Sequence, residues 1–222
     1  MLYMNLEDYD KSGEYLLKAL HQWQKLNNKR GISSTLSNLG LLYDRKGNTE
    51  QSVNYYTQAL IWNEKTGDKE GIGTCLGNLG WIYMKQKHYA KAQNYFERSL
   101  MYRKLIDDKA GIGYATYNLG TLYRNMHLDK EARIKARDAL QIAESLGYPD
   151  LIKRTSQLMY VLEKNDGNHK EALRLHEQYI LMRDSILNEQ TRKTGAKKQY
   201  QYEFDLKEAE LKAEQDKRDL IH

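Results

Sequence analysis

Polar and apolar positions along the chain alternate with the period of a helix, and the pattern itself repeats. Leu36, Leu39 and Tyr43 form one stripe, and Val53, Tyr56, Ala59 and Leu60 form the next. Spacings of three and four residues place each set on one face of an amphipathic helix. The same two stripes return as Leu76, Leu79 and Tyr83, then Ala92, Phe96, Ser99 and Leu100. Landmarks recur every 40 residues: Gly31-Ile32, Gly71-Ile72 and Gly111-Ile112, then Asn38-Leu39-Gly40, Asn78-Leu79-Gly80 and Asn118-Leu119-Gly120. So long a period with so many coincidences marks an array of supersecondary units.

Each unit predicts two helices. The first opens after Asn28, Asp68 or Asp108, residues that accept hydrogen bonds from the free amides of a first turn. It runs to about Lys46, Gln86 or Met126, and Gly47-Asn48, Lys87-His88 and His127-Leu128 make the turn. The second helix ends near Thr66-Gly67, Asp107 and Gly147-Tyr148. Gly40, Gly80 and Gly120 fall inside helices, where glycine costs about 1 kcal/mol against alanine. Close approach of a neighbouring helix offsets that cost, with Ser52, Ala92, Ala132 and Ala172 as the small residues on the second helix. Tyr43, Tyr83 and Tyr123 are expected to fill the gap between paired helices.

The two ends differ from the middle. Residues 1–30 match the second half of a unit, with Tyr3, Ser12, Leu16, Ala19 and Leu20 in register with Tyr43, Ser52, Tyr56, Ala59 and Leu60. A half unit leaves a helix face uncovered, so further repeats are expected upstream. Full units follow at 31–70, 71–110 and 111–150. A degenerate one spans 151–187, where Met159-Tyr160 replaces Leu-Gly and Glu163 replaces the tyrosine. Residues 1–187 thus form the repeat domain. Residues 188–222 balance eight Lys/Arg against eight Asp/Glu, a charged helix in its own right. Tyr202, Leu206, Ala209, Ala213, Asp216 and Leu220 give it a short coiled-coil seam. Two readings of it stay open: a solvated helix, or a signalling helix leading to a further domain.

Composition narrows the function. A 40% hydrophobic content in 222 residues suits a thin shared core. The net charge of +5 comes from interleaved acids and bases rather than the basic face that nucleic acid requires, so no nucleic-acid partner is expected. No apolar run reaches the roughly 18 residues of a membrane span. The single Cys75 forms no internal disulfide and leaves cytoplasm and periplasm equally open. It precedes core Leu76 and reads as a small buried filler. Gly71-Ile72-Gly73 and Gly111-Ile112-Gly113 have no preceding strand and no following Lys-Ser or Lys-Thr, so they are packing glycines, not a phosphate loop. None of the six histidines forms a His-x-x-x-His pair, which argues against a metal site. No catalytic residue and no cofactor are expected; the chain does not read as an enzyme.

The pattern Leu36-x-x-Leu39-Gly40-x-x-Tyr43, then Ser52, Tyr56 and Ala59, resembles the tetratricopeptide repeat. Leu76, Leu79, Gly80, Tyr83, Ala92, Phe96 and Ser99 are a second copy, and Thr116, Leu119, Gly120, Tyr123, Ala132, Ala136 and Ala139 a third. The period of 40 and the missing proline resemble the long-repeat branch of Pins-type scaffolds and Rap-type bacterial regulators. Arg183-Asp184-Ser185-Ile186-Leu187 running into a charged helix resembles Bacteroidetes-type sensor proteins. The resemblance implies an all-α, right-handed α–α superhelix with a charged C-terminal helix, and binding of a protein or peptide in a signalling role.

In such a superhelix the first helices line the concave side. Asn38, Asn78 and Asn118 form a ladder there, and an amide that both donates and accepts can clamp a peptide backbone. The alternative is that the asparagines bond neighbouring helices and fix repeat spacing. Trp81, Tyr114 and Tyr117 supply aromatic anchors, and Arg45, Lys85 and Arg154 favour an acidic segment. The family's chaperone-tail clamp asks for Lys and Arg where Ser34, Thr74, Tyr114 and Asn118 stand, so that partner is not expected. Two rival functions remain: a scaffold forming a homodimer through 188–222, and a Rap-like regulator of a response-regulator phosphate.

Overall fold

The structure, a computed structural model, describes residues 9–219. Tyr3 of the half unit and Leu220 of the seam lie outside the described residues, as do the side chains of Leu206, Ala209, Ala213 and Asp216. Among the described residues there are nine helices and no strand: α1 (Tyr9–Lys25), α2 (Lys29–Arg45), α3 (Thr49–Thr66), α4 (Lys69–Lys85), α5 (Tyr89–Leu105), α6 (Lys109–Asn125), α7 (Asp129–Leu146), α8 (Pro149–Asn165) and α9 (His169–Asp219). Each helix packs on the next in an all-α superhelical stack.

The helix starts have the expected chemistry. Asn28, Asp68 and Asp108 accept from the backbone N–H of Gly31, Gly71 and Gly111 at 2.9, 3.0 and 2.8 Å. The fourth start uses Pro149 in the first turn instead, where its missing N–H is no loss. Every turn between helices carries one residue of positive φ: Asn27, Gly47, Gly67, Lys87, Asp107, His127, Gly147 and Gly167. The turns share one geometry whether or not glycine supplies it.

Inside each pair, a large ring meets a glycine. A Cβ on Gly40 would lie 2.8 Å from the Tyr56 ring, and one on Gly80 would lie 2.6 Å from Phe96. Both rings are fully buried. Gly120 lacks such a ring, because Ala136 occupies the aromatic position; its tight neighbour is the Ala136 backbone at 3.2 Å. Tyr43 and Tyr83 are half-buried and stack on Tyr55 and Tyr95 at 5.3 and 5.4 Å. They seal the edge of the helix pair rather than its centre. Cys75 is fully buried between Ser37 and Asn63, and burial pushes its thiol pKa up.

Direct contacts also join α2 to α4, α4 to α6 and α6 to α8. Successive members of this layer lie closer together than those of the α3, α5, α7, α9 layer. It is therefore the inner, concave layer of the curved stack. The last helix departs from the expected division. α9 has 51 residues and runs without a break through position 187, so the second helix of the fourth unit and the charged helix are one element. It packs on α8, and residues 188–202 are exposed throughout.

Candidate functional site

The first helices of the units present their non-core positions to the concave side. Between α4, α6 and α8 these positions open into a cleft of about 500 Å³. It gathers Asn78, Trp81, Tyr114, Tyr117, Asn118 and Arg154 from the residues expected to bind. Asn38 lies half-buried on α2, and Arg45 and Lys85 are exposed at the ends of α2 and α4; none of the three lines the cleft.

The asparagines are not equivalent. The Trp81 indole N–H donates to Asn118 Oδ1 at 3.0 Å. This bond joins the second unit to the third. One unit earlier the corresponding pair is Leu41 and Asn78. Leucine offers no donor, so this bond has no counterpart at Asn78. Trp81 also meets the buried Phe96 edge-on at 6.1 Å and Tyr117 at 6.4 Å, so the indole supports the core and forms a wall of the cleft.

The far wall is Tyr114 and Tyr148, edge to face at 6.5 Å. The Tyr114 hydroxyl donates to Asp150 Oδ2 at 3.0 Å. Burial, with the Asp150 charge beside it, raises the phenol pKa well above its ordinary value. Asp150 also accepts from Lys153 at 2.9 Å and Arg154 at 2.6 Å. Burial alone would raise this carboxyl, but bonds from Arg154 and Lys153 hold it below its ordinary value.

Two of the three expected cations are paired. Lys85 is paired with Asp44 of the preceding unit at 2.7 Å, and Arg154 with Asp150 at 2.6 Å. The helical spacing of four made the second pair readable; the first spans a whole unit and one residue more, and is visible only once the helices are stacked. Arg103 joins the site without having been singled out. From the last turn of α5 it bonds Asp108 at 2.6 Å and Thr74 Oγ1 at 2.5 Å. Its stem covers Gly111, where a Cβ would come 2.5 Å from the Arg103 Cδ. The residues equivalent to Arg103 are Trp23, Asn63 and Ala143, so no recurring residue type flags the position.

Among the described residues no group of three or more His, Cys, Asp or Glu could hold a metal ion. No helix of the described residues is long and apolar enough to cross a membrane.

Family models described as tetratricopeptide repeat match residues 1–60 and 73–104. No curated protein matches the chain. BtubC (BKLC) from P. vanneervenii is similar in fold, with a TM-score of 0.72 at 23% identity over 83% of this chain and 77% of that one. A Rap protein complexed with Competence and Sporulation Factor aligns with a TM-score of 0.73 at 17% identity, over 82% of this chain and 51% of its own. This chain thus spans about half that protein's length. A signal-transduction ATPase with a tetratricopeptide repeat sensor from Pyrococcus horikoshii aligns with a TM-score of 0.61 at 21% identity, over 82% of this chain and 29% of that one. At these identities the likeness is one of fold.

Proposed function

Because the chain is a tetratricopeptide-repeat protein, a fold that serves protein–protein interaction, we propose that it is the peptide-binding part of a regulatory protein. An extended segment of the partner lies in the concave cleft across α4, α6 and α8. The observation that carries this reading is Asn78: it lies in an aromatic-walled cleft, and its neighbour in the preceding unit, Leu41, has nothing to donate to it. A main-chain amide can take that place, with Trp81, Tyr114 and Tyr117 covering the segment. A regulatory role draws support from the Rap protein complexed with Competence and Sporulation Factor and from the repeat sensor of the Pyrococcus horikoshii ATPase. Lys85 and Arg154 are paired internally and Arg45 lies outside the cleft, so this reading does not rest on an acidic segment.

The test is retention of partners from the source organism's lysate by the wild type beside an Asn78→Ala/Tyr117→Ala variant. Loss of a partner in the variant, with unchanged helicity, supports the cleft. Equal retention moves the interface to the outer layer or to α9. Trp81→Ala suits this purpose less well, because that indole also holds Asn118 and packs on Phe96.

A second reading rests on α9. Residues 188–202 of α9 are exposed, and a solitary helix in water is marginal. A homodimer formed through it would lose mass in sedimentation on truncation after Leu187. Of the exposed Tyr200, Tyr202 and Phe204, Tyr200 and Phe204 share one face at a spacing of four, and Tyr202 lies on the opposite side. The Rap-like reading, action on a response-regulator phosphate, draws on fold alone; an unchanged phosphate lifetime on adding the protein would dismiss it.

A further inference from the structure

We infer that the hollow over Gly77 is an anchor pocket for one bulky, uncharged apolar side chain of an extended peptide; this rests on the cleft being the peptide site. α4 carries Gly71, Gly73, Gly77 and Gly80 within 17 residues. Three of them answer to neighbours inside the protein. A Cβ would lie 2.6 Å from Asn63 at Gly71, 2.8 Å from Arg103 at Gly73 and 2.6 Å from Phe96 at Gly80. At Gly77 the nearest atom is Ser99 Oγ at 3.5 Å, an ordinary van der Waals contact. Nothing within the fold requires glycine there, yet glycine inside a helix is unfavourable by about 1 kcal/mol against alanine.

The position lies on the concave side, where Ser37, Tyr117 and Gln157 are its equivalents in the other units. Only in the second unit is the side chain missing altogether. The hollow this leaves is bounded by Trp81 one turn along α4 and by Tyr117 and Tyr114 across on α6, with Asn78 beside it. The chemistry of the occupant follows from the lining. Aromatic faces and a bare helix backbone favour an apolar or aromatic side chain. Of the charges lining the cleft, Arg103 is matched by Asp108 and Arg154 by Asp150; the carboxylate of Glu70 is exposed on the first turn of α4, about 10 Å along the helix from Gly77. An acidic side chain placed over Gly77 would lose water and gain no free counter-charge, and a basic one would lose water with Glu70 two turns away. Asn78 holds the adjacent peptide group while the side chain descends onto Gly77.

The experiment uses capped peptide libraries in which one position is fixed and the others are mixed. They are read against the full chain, Asn78→Ala, Gly77→Ala and Gly77→Leu. The wild type should retain the Phe-, Tyr-, Trp-, Leu- and Met-fixed pools about tenfold over the Asp-, Glu- and Lys-fixed pools, as burial of one such side chain predicts. Gly77→Leu should remove that selection, and Gly77→Ala should weaken it. Both should melt no lower than the wild type, since a Cβ there meets only an ordinary contact with Ser99 Oγ. Selection of acidic or basic pools overturns the inference. So does Gly77→Leu binding like the wild type while Asn78→Ala binds less, an outcome that leaves the cleft as the peptide site. Absence of binding by any pool overturns both.

Discussion

The units at 31–110 and the unit at 151–187 share one architecture with opposite residues at matched places. In the early units a glycine faces an aromatic ring, Gly40 against Tyr56 and Gly80 against Phe96. In the last, Tyr160 takes the glycine's place and the smaller His176 takes the ring's, 4.8 Å apart. Between early units Gly111 lies beneath Arg103. At the last junction Leu151 replaces the glycine and Ala143 replaces the long side chain, both fully buried in one cluster. The tyrosine that stacks at the edge, Tyr83 on Tyr95, becomes Glu163, whose carboxylate lies 3.0 Å from Arg133 Nε and accepts from Asn168 at 2.6 Å. The degenerate unit has lost the repeat's consensus but not its packing, because each change is answered by its partner. Volume and charge are conserved across the pair, not at the position.

That comparison breaks first at its charged pair. Glu163 is only 5% exposed. Arg133→Met strands its carboxylate and should cost about 3–5 kcal/mol in chemical denaturation; Arg133→Met with Glu163→Tyr should recover most of it by restoring the early-unit residue. Next comes Gly80→Ala, which drives a Cβ into the Phe96 ring. It should cost about 1–3 kcal/mol, and Gly80→Ala with Phe96→Ala should be less than additive. The turns give a smaller effect of opposite sign. Lys87 holds φ at 62°, and Lys87→Gly should gain about 0.5–1 kcal/mol, read as a rise of a few degrees in Tm. The smallest effect is acid sensitivity. The Asp150 carboxyl is held below its ordinary value in the folded protein. Its contribution is therefore present above the ordinary carboxylate range and lost as pH falls through the folded value. Melting temperatures across acidic pH should fall less steeply for Asp150→Asn than for the wild type.

Most of the fold could be read from residues that act locally. Asn28, Asp68 and Asp108 cap their own helices, and Gly47, Gly67 and Gly147 turn their own backbones, so the pattern carried those boundaries without help from tertiary structure. That Trp81, Tyr114, Tyr117 and Asn78 share one cleft could be read because they occupy non-core positions of the first helices, whichever residue each unit carries there. What escaped depends on reach between units. Arg103 stretches from α5 to Thr74 and Asp108, and Lys85 crosses to Asp44; long side chains choose partners only after the helices are stacked. The Trp81–Asn118 bond belongs to the same class, and it divides an asparagine ladder that looked uniform. The continuity of α9 was hidden for another reason: a change in composition at 188 is no stop signal, and neither a proline nor a left-handed residue interrupts the helix there.

The unbroken passage of α9 out of the fourth unit also has a mechanical consequence. The 188–219 overhang is about 50 Å long at 1.5 Å per residue, and its base is gripped by α8. A pivot of the fourth unit by about 5° would sweep the far end through about 4 Å, on that length. Tyr114 on α6 and Asp150 on α8 are tied across one wall of the cleft, so whatever tilts α8 there would be read out, magnified, at the other end of a lever.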